Sequence, residues 1–248
     1  MNIGYACGVN GLSLKCLNYL LQFTTPKLLL ISKGNSEEFN NIIKENNIPC
    51  IVGKDFRKKE NIKLIKNLNI DYLLSIHFPY IFSKNEIDII NRGIINLHPA
   101  FLPLNRGFHT HNWAILDNTL AGATLHWIDE NIDTGDIIDQ KSVVVNIEDT
   151  TNDIYRKVSI VEFELFTKNL NNILNDKVTS IKQNCSQSTN HFKKELKQIK
   201  ELKLNETYNF RILLDRLRAC TTNNYKEGCY FILDNNKYYM QINITNEK

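Results

Sequence analysis

The stretch IINLHPAFLP at residues 94–103 decides the fold prediction, because it joins a buried strand to an abrupt exit from a sheet. Its apolar first half is typical of a strand buried on both faces. Pro99 and Pro103 lack the amide hydrogen that a central strand donates, so the chain has to leave the sheet there. Asn96 and His98 are two residues apart and point to the same side of an extended strand. The stretch therefore predicts a polar pair at the carboxyl end of a buried strand.

Short apolar runs alternate with amphipathic segments on the N-terminal side of this stretch. The strand-like runs are residues 2–7, 27–32, 49–52, 72–76 and 93–96. This βαβα rhythm predicts an α/β fold with a doubly wound, mostly parallel sheet that is covered on both faces. Residues 123–128 and 136–145 are then predicted to be two further strands, joined by a loop rich in turn formers.

The pattern changes near residue 150. Thr150 followed by Asp153 resembles a capping box at the start of a long helix. The polar connector QNCSQSTN follows that helix, and we expect a catalytic domain over residues 1–180 and a small α+β extension over residues 181–248. The extension should hold two helical segments and a final hairpin whose turn is the sequence DNNK at residues 234–237.

The composition is that of an ordinary globular protein, with 42% hydrophobic and 23% charged residues. A net charge of +3 is too small to indicate a nucleic-acid partner. The lysine-rich run at residues 193–203 is interpreted as the solvated face of a helix, and its apolar stripe is Phe192, Leu196, Ile199 and Leu202. No apolar run reaches the roughly 20 residues of a membrane span. Six cysteines without a CxxC pair, and a strand-like N-terminus, favour a cytoplasmic protein.

The Asn96 and His98 pair suits acyl transfer, because an amide stabilises an oxyanion and an imidazole moves a proton near neutral pH. Taken alone, the pair is more often a satisfied polar cap on a strand. A zinc site at His109 and His111 is a third interpretation, and the lack of a Cys pair or HExxH spacing weighs against it.

Several separated elements, in order, resemble the folate-dependent formyltransferase family. They are NLHPAFLP, LNRG, HTHNWAI and GATLHWIDENIDTGDII, in which His126 precedes Asp133 and Gly135. The resemblance covers most of residues 1–150. The family includes glycinamide ribonucleotide, methionyl-tRNA and nucleotide-sugar N-formyltransferases.

The resemblance implies that Asn96, His98 and Asp133 are the catalytic residues, that N10-formyltetrahydrofolate is the formyl donor, and that no metal takes part. His98 would accept the proton of the attacking amine and Asn96 would stabilise the oxyanion. Asp133 would either orient His98 or relay a proton to the leaving folate nitrogen.

The resemblance also implies that the pterin is held by two loops, mainly through their backbone. The residues are Phe78, Tyr80, Ile81 and Phe82 after the fourth strand, and Asp129, Glu130 and Ile132 before the catalytic aspartate. The apolar residues of the first loop could instead be packed in the core. The two interpretations overlap, because a pterin site also needs apolar walls.

The acceptor is expected to meet the turn after the first strand, CGVNGLS, where small residues allow a ligand to approach a helix N-terminus. The resemblance implies contacts from Val9, Asn10 and Gly11, and from Arg106 in the Arg-Gly turn. Trp113 and the segment RLRACTTNNYKEGCYF resemble the nucleotide-sugar N-formyltransferases, whose extension is often used for dimerisation.

The resemblance therefore implies dTDP-4-amino-4,6-dideoxyglucose as the expected acceptor, formylated by a homodimer for O-antigen or lipopolysaccharide synthesis. Arg218 would meet the diphosphate, and Tyr225 and Tyr230 the nucleotide. Alternatively, the tyrosines pack the hairpin and Arg218 forms a surface ion pair. Formylation of glycinamide ribonucleotide and a non-catalytic folate or nucleotide-sugar binding module are the other functions; the three intact catalytic residues argue against the module.

Overall fold

The computed structural model describes residues 1–32 and 36–247. In chain order, the strands are β1 (Ile3–Cys7), β2 (Leu28–Ile31), β3 (Cys50–Val52), β4 (Tyr72–Ile76), β5 (Gly93–His98), β6 (Arg106–Gly107), β7 (Ala121–Trp127), β8 (Ile137–Val143), β9 (Asn190–His191), β10 (Cys229–Leu233) and β11 (Asn236–Met240). The helices are α1 (Gly11–Leu20), α2 (Glu37–Glu45), α3 (Lys59–Asn67), α4 (Lys84–Ile87), α5 (Thr110–Leu116), α6 (Thr151–Leu174), α7 (Glu195–Ile199) and α8 (Phe210–Cys220).

Seven strands form one sheet in the order β3-β2-β1-β4-β5-β7-β8. The pairs from β3 to β5 are all parallel, and β7 runs antiparallel to β5. This arrangement confirms the doubly wound, mostly parallel α/β sheet. The chain reverses its direction of growth between β1 and β4, and ligands of open α/β sheets bind beside such a switch point. Because the central strands are parallel, the residues that follow Cys7, Ile76 and Leu97 emerge at the same edge.

The strands next to the switch point are uniformly buried, as their continuous apolar sequences predict. One core cluster contains Ala6, Leu30, Phe56 and Ile94, and the loop residues Phe78 and Tyr80 pack against it. The sheet core thereby supports the loop that follows β4. Among the described residues, no helix has both the length and the hydropathy of a membrane span.

The chain folds into two compact units whose segments interleave along the sequence. The first comprises Met1–His98, Thr124–Gln140 and Glu162–Gln183; the second comprises Pro99–Ala123, Lys141–Val161 and Asn184–Lys248. The chain enters the second unit at Pro99, where the prolines predict that it leaves the sheet. The division into functional domains at residue 180 stays a prediction.

In the second unit, the lysine-rich run is helical only over α7. Leu196 is buried, as the apolar stripe predicts. Leu202 is buried as well, but it lies beyond the end of α7, where its amide donates to the Tyr230 carbonyl oxygen at 2.7 Å. The prediction was wrong for Phe192, which is 63% exposed, because the helix begins three residues later and Phe192 lies outside its period. The remaining core of this unit includes Cys220 and Cys229.

The final hairpin is confirmed, with β10 and β11 antiparallel, but its turn is shorter than the predicted residues 234–237: Leu233 pairs with Asn236, so Asn236 and Lys237 already belong to β11. Asp234 and Asn235 have φ angles of 49° and 59°, as the two central residues of a type I′ turn require. We expect Asn235→Gly to hold or raise the melting temperature and Asn235→Val to lower stability by about 1–2 kcal/mol, because a β-branched residue disfavours the left-handed region. Thermal unfolding of both variants checks this, and equal melting temperatures would contradict it.

Candidate active site

The three residues predicted to be catalytic converge in the first unit, together with His126. His98 Nε2 lies 3.6 Å from Asp133 Oδ2, and His126 Nε2 lies 3.7 Å from Asp133 Oδ1. Asn96 pairs directly with His126 across β5 and β7, and the two imidazole rings are 5.9 Å apart. Both histidines are buried. The sheet register therefore gathers an amide, two imidazoles and a carboxylate at one edge.

The hydrogen bonds of His126 fix its tautomer and orient Asn96. Its Nδ1 donates to the Trp127 carbonyl oxygen at 2.7 Å, so the proton is on Nδ1. Its Nε2 then accepts from Asn96 Nδ2 at 3.1 Å. Burial lowers the pKa of His126 to about 4, although the charge of Asp133 opposes this shift. His126 is therefore neutral near pH 7 and holds the Asn96 amide in a fixed orientation.

The buried neutral His126 makes the free energy of unfolding depend on pH. Its folded pKa of about 4 lies below the ordinary value of 6.5, so the unfolded chain binds more protons between these values. The contribution of neutral His126 to the free energy of unfolding is complete above pH 6.5 and is lost as the pH falls toward 4. By pH 5 the free energy of unfolding has fallen by on the order of 2 kcal/mol through this group. His126→Gln removes this titration, so urea unfolding should show a smaller loss between pH 7 and pH 5 than in the wild type. Equal losses would contradict the assignment.

The loop that carries Asp133 is tightly constrained. Asp133 has a φ of 54°, and a Cβ on Gly135 would lie 1.9 Å from the Trp127 carbonyl oxygen. Gln183 Nε2 donates to the carbonyl oxygens of Asp133 at 3.0 Å and Gly135 at 2.7 Å. No local pattern in the sequence marks Gln183 as a site residue, because its contact with Asp133 spans 50 residues.

The buried Nε2 of His98 has no hydrogen-bond partner among the described residues. The Asp133 carboxylate at 3.6 Å is too distant for a direct hydrogen bond and close enough to stabilise an imidazolium. The nitrogen can therefore take a proton from a reacting group while the carboxylate stabilises the resulting charge.

A metal ion is the alternative ligand for this cluster. One atom each of His98, His126 and Asp133 lies within 4.8 Å of the other two, and this is the only such grouping in the described part of the chain. In the described part of the chain, His109 and His111 therefore belong to no group of three potential metal ligands, as the zinc interpretation would require. The Asn96 amide already donates to His126 Nε2, which fits a hydrogen-bonded site. The absence of a metal stays a prediction.

The loop after β4 forms an aromatic cluster on Phe56. Phe78 and Phe82 stack with their rings 5.4 Å apart, and Tyr80 lies edge-on to Phe78 at 5.2 Å. Phe82 is 4% exposed and belongs to the core, whereas Ile81 is 58% exposed. Core packing thus accounts for Phe82 and not for Ile81. The folate contacts of this loop stay predictions.

The second predicted folate loop is held by its own polar groups. Asp129 Oδ1 accepts hydrogen bonds from Thr134 Oγ1 at 2.6 Å and from the Asn131 amide at 3.0 Å. Glu130 pairs with Lys84. Ile132 is 40% exposed, so it offers apolar surface next to Asp133. These contacts shape the loop, and its contact with folate stays a prediction.

The turn predicted to face the acceptor is anchored by His77, whose ring contacts the buried carboxylate of Glu162. Asn10 caps α1 by accepting from the Ser13 amide, and its Nδ2 lies 3.4 Å from His77 Nδ1. His77 Nε2 is 2.7 Å from Glu162. Burial alone would lower the pKa of His77, but the Glu162 charge outweighs it and the pKa is raised. No local pattern in the sequence marks this pair, because its members are 85 residues apart.

The other turn residues differ in their surroundings. The Val9 amide donates to Ser32 Oγ at 3.1 Å. Nothing lies within 4 Å of the position that a Cβ of Gly11 would take, so this residue faces open space. The open space at Gly11 leaves room for the acceptor beside this turn. That the acceptor binds there stays a prediction.

The predicted nucleotide contacts lie in the second unit. Arg106 is buried in β6. Arg218 is 4% exposed, and its guanidinium donates to the carbonyl oxygens of Ile147 at 2.9 Å and Asn146 at 3.1 Å. Tyr225 is 57% exposed, whereas the ring of Tyr230 is covered by a lysine ammonium group 3.3 Å from its centroid. Because Arg218 is buried, it does not form the surface ion pair that the alternative interpretation expects. The nucleotide contacts stay predictions.

Comparison with known proteins places this geometry in a family. Residues 17–170 match the formyl transferase family model, and residues 195–246 match the N-formyltransferase dimerization C-terminal domain. A 4-N formyltransferase from Francisella tularensis is 30% identical, with a TM-score of 0.85 over 99% of both chains. The dTDP-4-amino-4,6-dideoxyglucose formyltransferase of Mycobacterium tuberculosis is 29% identical over 72% of this chain and 75% of its own length.

A third similar protein has been solved with ligands. It is an N-formyltransferase from Helicobacter canadensis in complex with folinic acid and dTDP-3-aminofucose, 25% identical, with a TM-score of 0.67 over 88% of this chain and 80% of that one. The family model alone spans more than half of the 248 residues. The chain that gathers Asn96, His98, His126 and Asp133 at its sheet edge therefore belongs to the formyl transferase family.

Proposed function

We propose that this protein transfers the formyl group of N10-formyltetrahydrofolate to the amino group of a dTDP-linked amino sugar, with dTDP-4-amino-4,6-dideoxyglucose as the favoured acceptor. One observation carries the proposal: His126 orients the Asn96 amide beside His98 and Asp133, which is a constellation suited to acyl transfer. The similarity to the Francisella 4-N formyltransferase over the full chain supports the acceptor class.

The mechanism begins with attack of the uncharged amine on the formyl carbon. A carbon–nitrogen bond forms and the formyl oxygen becomes an oxyanion. One hydrogen of Asn96 Nδ2 is held by His126, so the other is left to donate to the oxyanion. His98 Nε2 accepts the amine proton. The bond from carbon to folate N10 then breaks, and a proton passes to N10, giving the formamide and tetrahydrofolate.

Asp133 stabilises the imidazolium of His98 during this sequence. At 3.6 Å its carboxylate acts through charge rather than through a direct hydrogen bond. A proton that moves on from His98 to N10 can pass through water held by the same carboxylate. Gln183 keeps the loop of Asp133 in place through two backbone carbonyls.

The folate is proposed to lie between the two loops that carry the exposed Ile81 and Ile132, whose apolar surfaces suit a pterin ring. The match of residues 195–246 to a dimerization domain supports a homodimer. We place the enzyme in the cytoplasm, where it would formylate a sugar for surface-polysaccharide synthesis such as that of an O-antigen.

The test of the proposed function is an acceptor panel. The protein is incubated with N10-formyltetrahydrofolate and each of several dTDP-amino sugars or glycinamide ribonucleotide, and tetrahydrofolate release is followed. We expect turnover with a dTDP-amino sugar and the highest kcat/KM with the 4-amino-4,6-dideoxyglucose compound. Turnover with the ribonucleotide alone would assign the other acceptor, and no turnover with any amine would favour a binding module.

A further inference from the structure

The second unit contains an open cavity of about 500 Å³ with a strongly positive lining. Five lysines and one carboxylate surround it: Lys193, Lys197, Lys200, Lys226, Lys237 and Glu227. The whole chain carries a net charge of only +3, so this accumulation is local. The volume is within the range of roughly 300–1,000 Å³ that small-molecule sites occupy.

The backbone explains why the lysines converge. Lys193 and Lys197 are four residues apart, and Leu196, beside Lys197 in α7, is 3% exposed and anchors that helix in the core. Lys226 follows Asn224, whose side chain accepts from the Lys226 amide. Lys237 belongs to β11 of the hairpin. Three separate segments thus present ammonium groups to one cavity, which a solvated helix face alone does not explain.

These ammonium groups are poorly neutralised. Within the described ranges, none of the five lysines forms an ion pair with a carboxylate, although other lysines of the chain do. Lys226 lies 5.9 Å from the ring centroid of Tyr225, and Lys237 contacts the ring of Tyr230; neither ring carries a charge. The Glu201 carboxylate, 3.3 Å from the Tyr230 hydroxyl, offsets part of the charge of Lys237 and of no other lysine in the lining. His109, which also lines the cavity, has a lowered pKa, first because of burial and then because of the positive charge of Lys200. The cavity therefore favours an anion.

We infer that this cavity binds the diphosphate group of a nucleotide, and the choice of nucleotide rests on the function proposed above. Two adjacent phosphates concentrate several negative charges within a few ångströms, and lysine binds phosphate as a point charge. A carboxylate of an extended anionic peptide would meet fewer of the lysines at once. The hydroxyl groups of Thr222 and Tyr230 in the same lining already donate to the Asn224 carbonyl oxygen and to Glu201, so the lysines carry the contact with the phosphates. Arg218, which is occupied by backbone carbonyls, is not required for this contact.

The test measures binding to the full-length protein by calorimetry without a formyl donor. The ligands are thymidine diphosphate, inorganic diphosphate and γ-linked triglutamate. The variant Lys193→Gln/Lys197→Gln is compared with Lys59→Gln/Lys63→Gln, which removes the same charge from exposed lysines with the same spacing on α3. We expect the first variant to bind both diphosphates about tenfold more weakly or worse, and the second to stay within about twofold of the wild type. Higher salt should weaken wild-type binding.

Three results would overturn the inference: unchanged diphosphate affinity in Lys193→Gln/Lys197→Gln, equal weakening in both variants, or tighter binding of triglutamate than of diphosphate. Binding of inorganic diphosphate alone, with no gain from the nucleoside, would keep the anion site and remove the nucleotide from it. Because no transfer is measured, a failure of the proposed function leaves this result intact. A separate transfer assay would give one further contrary result: an unchanged acceptor KM in Lys193→Gln/Lys197→Gln would contradict the cavity assignment and leave the proposed function standing.

Discussion

His98→Ala is expected to lower kcat by about a thousandfold, within the range that general acid–base groups contribute. His98 Nε2 is the buried ring nitrogen next to Asp133, and without it the amine has no protein group to accept its proton. Folate affinity should stay within a few-fold of the wild type, because the predicted folate loops do not include this side chain. Single-turnover kinetics and a separate folate titration measure the two effects.

The control for this variant addresses folding and chemistry separately. His98→Gln fills more of the space and should unfold at nearly the wild-type temperature while remaining slow. Added imidazole should restore part of the rate to His98→Ala, because it can enter the vacated space and accept the proton. Wild-type turnover in either variant would remove His98 from the mechanism.

Gly135→Ala should damage both stability and catalysis. The new Cβ would lie 1.9 Å from the Trp127 carbonyl oxygen, so the loop or β7 has to move. Such overpacking costs about 1–3 kcal/mol and lowers the melting temperature by roughly 5 °C in a chain of this size. The same carbonyl oxygen accepts the proton of His126 Nδ1 at 2.7 Å, so its displacement also disturbs the orientation of Asn96. We expect kcat to fall at least about tenfold as well.

The matched comparison for stability is Gly11→Ala, since nothing lies within 4 Å of the corresponding Cβ position. It begins α1, where alanine is well tolerated, so its melting temperature should equal or exceed that of the wild type. Calorimetry of both variants gives the difference. A Gly135→Ala protein as stable and as active as the wild type would show that this close approach does not constrain the site.

The elements that sequence predicted well depend on local patterns. The buried strands follow from continuous apolar runs, and the hairpin turn follows from residues that tolerate positive φ. Asp153 accepts a hydrogen bond from the Thr150 amide, as the capping pattern predicts. The convergence of Asn96, His98 and Asp133 was implied by the family resemblance rather than by any of these patterns.

What the sequence did not reveal depends on distant pairing. His126 acts on Asn96 only because β5 and β7 are antiparallel in a particular register. Gln183 reaches Asp133 across 50 residues, and His77 reaches Glu162 across 85. The lysine run looked like a solvated helix face until the hairpin and the segment before it brought Lys226 and Lys237 to the same cavity. No local window contains both partners of such contacts.

The Asn96, His98 and Asp133 cluster is proposed to transfer a formyl group to the amine of a nucleotide sugar. The most direct measurement is mass spectrometry of dTDP-4-amino-4,6-dideoxyglucose after incubation with N10-formyltetrahydrofolate and either the wild type or Asn96→Ala. We predict that the wild type adds one carbonyl unit to the sugar amine in step with tetrahydrofolate release, and that Asn96→Ala does so at least about a hundredfold more slowly. An unmodified sugar with the wild-type enzyme, or equal rates for the two proteins, would contradict the claim.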